Sequence, residues 1–264
     1  MKAAFAIAAR FRSQIARGEL EAGMPLPVEN ELVAQLGVSK AVVREALRIL
    51  EMEGLVEVRR GLGGGPRVRH PSISDAAHAM GVYLQIGDVP VLDVWAARDR
   101  IVGGAVRALA SAPGNYRLDP FEEAVWGLAA AVGNLDAYYP RIIEVGEVAV
   151  EVAGNQTEHV LVRSLRHILG AELEAATKAV EDIDLAIDVE GQLSRAWIDV
   201  LKYVQAGDPI EAVDAYERQA AMLRNGMARL IGEETVIDLF GGEVPSLPTE
   251  ETENDQVTAP SILS

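Results

Sequence analysis

Apolar residues return at helical spacing through the first fifty positions of the chain and at strand spacing just after them. Ile7, Phe11 and Ile15 keep one stripe, Leu32, Val33 and Leu36 keep a second from Val28 onward, and Val43, Ala46, Leu47 and Leu50 keep a third. Gly18, Gly37 and Gly54 follow these stripes, where a helix end favours a residue free to turn left-handed. Ser39 stands where the third helix would take its N-cap. Residues 55–60 then alternate through Val56 and Val58, the cluster Gly61-Leu62-Gly63-Gly64-Gly65 interrupts, and Arg67-Val68-Arg69 resumes. That pattern predicts a two-stranded hairpin with a glycine tip.

Three helices followed by such a hairpin is the layout of a winged helix-turn-helix. His70-Pro71-Ser72 reads as a linker, since proline disfavours helix in its predecessor and Ser72 or Ser74 can cap the next helix. Beyond it the periodicity predicts helices near 74–86, 90–111, 119–132, 136–153, 156–179, 183–206 and 209–231. The fold class expected is therefore mostly α. Residues 1–70 would form the winged helix-turn-helix and 71–74 a linker. Residues 75–240 would form an antiparallel bundle of six to seven helices. The Pro-, Thr- and acid-rich stretch 241–264 is expected to be disordered.

Composition changes the picture in two ways. The chain carries a net charge of −16, yet residues 1–75 hold 11 Lys or Arg against 9 Asp or Glu. A polyanion could be met only there, because the other 189 residues hold 13 basic against 31 acidic side chains. There are no cysteines, which rules out disulfides, thiolate metal sites and cysteine nucleophiles and suits a reducing cytoplasm. No apolar run reaches the ~18 residues that span a bilayer, and the N-terminus runs straight into a helical pattern, so neither a membrane segment nor a signal peptide is expected.

Within the third helix Lys40, Arg44 and Arg48 recur every four residues opposite the apolar stripe. A recognition helix needs that arrangement, with one face packed and the other bringing donors to base edges. Lys40 and Arg44 match guanine O6 and N7, whereas Arg48, farther along, suits phosphate. Gly61-Leu62-Gly63 begins like a dinucleotide fingerprint, but Pro66 and a basic strand come next, where a phosphate cradle needs a helix.

Gly18 through Leu20, the run Pro25 to Leu32, the run Gly37 to Leu47 and Glu53-Gly54-Leu55-Val56 together resemble the GntR family of transcription regulators. The resemblance implies a short palindromic operator in double-stranded DNA, contacted by the positions held here by Asn30, Lys40, Arg44, Arg60 and Gly61. Asn30 and Lys40 depart from the arginines that many relatives carry. With their neighbours, the candidate DNA-facing set is Asn30, Ser39, Lys40, Ala41, Val42, Arg44, Arg48, Arg59, Arg60 and Gly61.

The helical remainder resembles the FadR-type branch, in Asp93 to Arg98, in Val145 to Asn155 and in Ala206-Gly207-Asp208 with Ala212. That branch implies a homodimer whose bundle takes a small-molecule effector. Many of its members hold a metal, but the ligand positions fall here on Ile142, Gly146, Trp197 and Gln219, which cannot replace carboxylate and imidazole donors. No metal or other cofactor is expected. The candidate effector set is Arg98, Tyr139, Asn155, Trp197 and Gln219, with Arg98 able to pair with a carboxylate, so that a carboxylic acid or acyl-CoA comes into question. His159, Arg163 and His167 share a helix face and read as solvated. No nucleophile elbow, phosphate loop or paired histidines point to an enzyme. The alternative is a DNA-binding dimer without an effector.

Overall fold

The computed structural model describes residues 2–59, 61, 64–178, 180 and 183–239. Its first three helices are α1 (Lys2–Ala16), α2 (Glu29–Leu36) and α3 (Lys40–Met52). The third stripe is buried as expected, with Val43, Ala46, Leu47 and Leu50 facing inward against α1 and α2. On α1 the fully buried seam is Ala4 and Ala8 with Ile15, while Ile7 lies at its edge. Gly37 closes α2 at φ 64°, a left-handed turn whose N–H reaches Val33 O at 3.0 Å, and this sharp corner lets α3 leave across α2. Ser39 takes the N-cap position of α3, but its hydroxyl makes no capping hydrogen bond. The main-chain carbonyl of Ser39 accepts from Val43 N–H at 3.2 Å instead.

Strands β1 (Val56–Arg59) and β2 (Gly65–Val68) pair antiparallel with Val56 opposite Val68 and Arg59 opposite Gly65. Val56 and Val68 are buried against the three helices, whereas Val58, nearer the tip, is exposed. The segment between α1 and α2 is more than a linker. Gly23 N–H donates to Val68 O, Val68 N–H to Met24 O and Leu26 N–H to Pro66 O, so it runs along the outer edge of β2. That pairing hides main-chain groups an edge strand would otherwise expose.

Eight α-helices come after the hairpin among the described residues: α4 (Ile73–Ile86), α5 (Val91–Ser111), α6 (Asp119–Ala129), α7 (Leu135–Ala153), α8 (Gln156–Ile168), α9 (Gly170–Lys178), α10 (Ile183–Ala206) and α11 (Pro209–Ile231). This is one more than the sequence pattern predicts, because the segment expected as 156–179 breaks at Leu169. Gly170, a weak helix former, stands at the break. Ser72 is the cap of α4, its hydroxyl accepting from Asp75 N–H, so helix starts at Ile73, inside the stretch expected as linker. Helix α11 packs most closely, on α10 and α5, and α7 packs on both α5 and α6. After α11 the chain doubles back: Ile237 N–H donates to Val89 O and Val91 N–H to Thr235 O, pinning the return to the α4–α5 corner. Periodicity gave no sign of this return. The reading of 241–264 as disordered concerns residues outside those described.

Two separate hydrophobic clusters result. One joins Ala8, Ile15, Leu26, Leu32, Val43 and Leu50 with Val56 and Val68. The other runs from Ala77 to Ile237 through the bundle, around Trp95, Phe121, Tyr138, Trp197 and Tyr216. Among the described residues no helix is long and apolar enough to cross a membrane.

Candidate nucleic-acid interface

Because α3 buries one face on α1 and α2, its other face must point outward, and Lys40, Arg44 and Arg48 stand on it, all exposed. Ser39, Ala41 and Asn30 are exposed beside them, with Val42 half-buried. The hairpin is set alongside by Glu51, whose carboxylate accepts from Val58 N–H at 3.1 Å. Between α3 and the hairpin runs a groove of about 480 Å³, walled by Glu29, Arg44, Leu47 and Arg48 on one side and Val58, Gly65 and Pro66 on the other. The tip requires glycine: a Cβ on Gly64 would sit 2.4 Å from Arg59 O, and Gly61 has φ 101°. Arg59 is exposed near that tip and ion-paired to Glu57 at 2.6 Å. Arg60, the other wing arginine of the expected set, lies outside the described residues.

One participant escaped the sequence reading. Glu29, in the first turn of α2, lies between the two cations nearest the start of α3: Arg44 Nε donates to its Oε1, and Lys40 Nζ is 3.4 Å from its Oε2. Partial burial works to raise the Glu29 carboxyl, but Arg44 and Lys40 outweigh it and hold it below the usual carboxylate range. An acidic residue in a first helical turn already accounts for itself by the helix dipole, so the sequence carried no signal of the pairing across the turn.

The bundle residues named from the sequence are only partly brought together. Arg98 is buried, 2% exposed, and its Nη2 donates to Ile143 O at 2.8 Å. Its guanidinium lies 5.7 Å from the Trp95 ring centroid and 3.8 Å from Asp99 Oδ1. Asp99 also accepts from Tyr216 Oη at 3.1 Å and pairs with Arg224. Tyr216 in turn meets Trp197 at a tilt of 54°, with ring centroids 5.4 Å apart, and Gln219 is buried one turn along α11. Arg98 and Trp197 therefore belong to one buried polar-aromatic cluster through Asp99 and Tyr216. Tyr139 packs edge-on against Tyr138. Asn155 is exposed and serves as the N-cap of α8, accepting from Thr157 and Glu158 N–H.

The positions where the resemblance would put metal ligands do not suit a metal. A Cβ on Gly146 would lie 2.6 Å from Arg98 Nη2, so a guanidinium fills the space a ligand side chain would need. Among the described residues no group of three or more His, Cys, Asp or Glu could hold an ion. His159 reaches Glu151 at 4.0 Å, and Arg163 and His167 are exposed. A second, open groove of about 680 Å³ lies between α5 and α11, floored by Gly103 and Gly104 and rimmed by Arg100, Arg107 and Arg224. None of the expected effector residues lines it.

Residues 4–64 match the family model described as bacterial regulatory proteins, gntR family. The N-terminal part of the chain is a GntR domain. A protein of Escherichia coli (strain K12), named for regulation of the L-lactate dehydrogenase operon, is 28% identical over 84% of this chain and 85% of its own. An HTH-type transcriptional regulator of Mycobacterium tuberculosis is 28% identical over 82% and 87%. Over 57 residues the chain is 49% identical to the mannosyl-D-glycerate transport/metabolism system repressor of Escherichia coli (strain K12), covering 22% of this chain and 24% of that one. In fold, the chain resembles the GntR protein of Streptococcus agalactiae, with a TM-score of 0.59 and 20% identity over 84% of this chain and 99% of the other. In sequence, the likenesses are to proteins named as regulators and as a repressor.

Proposed function

We propose that the chain is a cytoplasmic, homodimeric, ligand-responsive transcription regulator, a reading in keeping with the regulator and repressor names its relatives carry. Residues 1–70 bind a short palindromic operator, and the bundle 75–240 dimerises and senses a carboxylic acid or acyl-CoA. The observation that carries the DNA reading is the exposed Lys40, Arg44 and Arg48 row standing beside the hairpin across a groove. Arg44 and Lys40 read base edges, Arg48 and Arg59 meet phosphate, and Asn30, Ser39, Ala41, Val42, Arg60 and Gly61 complete the contact surface. The operator is released when the bound acid favours a dimer geometry in which the two α3 helices no longer match successive half-sites.

The test uses a duplex selected by the protein from a randomised pool. Arg44→Ala should weaken binding by about 1–3 kcal/mol, the worth of a good base contact, and leave the melting temperature unchanged. Undiminished affinity would remove α3 from the interface.

The effector reading is supported by three buried donors that have no partner among the described residues: Trp95 Nε1, Arg98 Nε and Trp197 Nε1. Buried N–H groups that lack an acceptor are costly, ~1–3 kcal/mol each, and a carboxylate supplies acceptors. Arg98 would hold that carboxylate, with Trp197, Gln219 and Tyr139 around it. Asn155, spent on its helix cap, would act at most through the placement of α8. FadR-type membership belongs to the same proposal. Calorimetric titration with L-lactate, octanoate and an acyl-CoA should give saturable binding of at least one, lost in Arg98→Met. Absence of binding by all three, with no co-purifying molecule in native mass spectra, would leave a DNA-binding dimer without an effector.

A further inference from the structure

Lys40 and Arg44 share one carboxylate. We infer that Glu29 is a specificity-determining positioning residue of the DNA interface, orienting Arg44 toward a base edge and opposing the use of Arg44 and Lys40 as mere phosphate ligands. This rests on the DNA-binding reading of α3.

The geometry supplies the first half of the case. Glu29 sits on the rigid first turn of α2, and its side chain is 25% exposed against 62% for Arg44 and 52% for Lys40. The less mobile partner therefore fixes the more mobile ones. Contact at Nε grips the stem side of the guanidinium and leaves its terminal amino groups for a second pair of acceptors, as on guanine. An arginine held this way needs less ordering when it docks, which favours the base it already faces.

Electrostatics supplies the second half. The helix dipole accounts for an acid in the first turn of α2, but exposed ion pairs contribute little to folding, so stability does not explain why that carboxylate reaches across to Lys40 and Arg44. On an unmatched duplex, the free donors of Arg44 and Lys40 would meet phosphates with the Glu29 carboxylate still beside them, and like charge opposes that approach. At a matched base edge the acceptors are uncharged, so Arg44 can donate without bringing a second anion up to Glu29. The carboxylate thus weakens non-specific binding more than specific binding, a repulsive element of the kind selectivity requires.

The experiment compares wild type, Glu29→Gln, Glu29→Asp and Arg44→Ala on two duplexes. One is the site that the wild type selects from a randomised pool, the other a scrambled sequence of the same composition, each titrated at several salt concentrations. Glu29→Gln should bind the scrambled duplex roughly three- to tenfold more tightly, with a salt slope steeper by about one. Its preference for the selected site should fall roughly tenfold. Glu29→Asp keeps the charge but shortens the reach, so scrambled binding should stay at the wild-type level while the preference still falls. If Arg44→Ala loses the preference and both Glu29 variants keep it, the inference is overturned and the DNA reading stands. If Arg44→Ala also keeps it, the DNA reading itself fails.

Discussion

Single residues in this chain are placed by partners that lie far away in sequence. Glu190 is fully buried on α10, accepting from Gly133 N–H at 2.7 Å with one oxygen while the other has no partner among the described residues. Burial raises its carboxyl above the usual range, and the Gly133 hydrogen bond offsets this only in part. A raised folded-state value means that the group favours folding below the unfolded carboxylate range, near pH ~4.3, and loses that contribution as pH rises through its folded value. Glu190→Gln should therefore melt higher than the wild type, by a margin that grows as pH rises from about 4.3 through the folded Glu190 value. A constant margin would contradict the burial account. Arg98 and Gly146 are a second such pair. Gly146→Ala forces the guanidinium off the Ile143 carbonyl and should cost ~1–3 kcal/mol by overpacking, read as a lower denaturation midpoint. None of these pairings, nor that of Glu29 with Arg44, leaves a trace in periodicity, because each joins residues on different elements.

Elements were far more legible. The apolar stripe of α3, the glycine corners after α1, α2 and α3, and most helix limits of the bundle follow from the 3.6-residue repeat and local chemistry alone. The capping serine shows where local rules suffice and where they stop. Ser39 and Ser72 both precede helices, yet only Ser72 forms the cap, because Asp75 three residues on completes the reciprocal pair. The Ser72 main chain and hydroxyl, with Arg69 besides, hold Asp75 below the usual carboxylate range. Ser72→Ala should destabilise α4 by about 1 kcal/mol, and acid should shrink the difference as pH falls through the folded Asp75 value, removing the part owed to the Ser72 hydroxyl's bond to the Asp75 carboxylate. Equal stability at neutral pH would deny the cap its role. The return of residues 232–239 to the α4–α5 corner stayed hidden, since a short extended segment held by main-chain hydrogen bonds has no repeat to read. The extra break at Leu169 hid for the opposite reason: apolar spacing continues across it, and only Gly170 marks the weak point.

At the scale of the whole molecule, an acidic bundle and a cationic row are joined in one chain, and in the proposed reading the row is where a duplex is admitted. The charge division between residues 1–75 and the rest pointed to that end of the chain before any coordinate, whereas nothing comparable marks out the interior of the bundle. Its buried cluster is assembled from α5, α7, α10 and α11, so no contiguous stretch of sequence describes it. The central claim is that α3 and its flanking hairpin are the DNA-binding surface. Hydrogen–deuterium exchange of the full chain, with and without the duplex it selects, tests this most directly. The account predicts added protection over residues 29–31, 39–48 and 57–67, with the interior of the bundle at α5 and α10 unchanged. Protection confined to the bundle, or absent from 39–48, would contradict it.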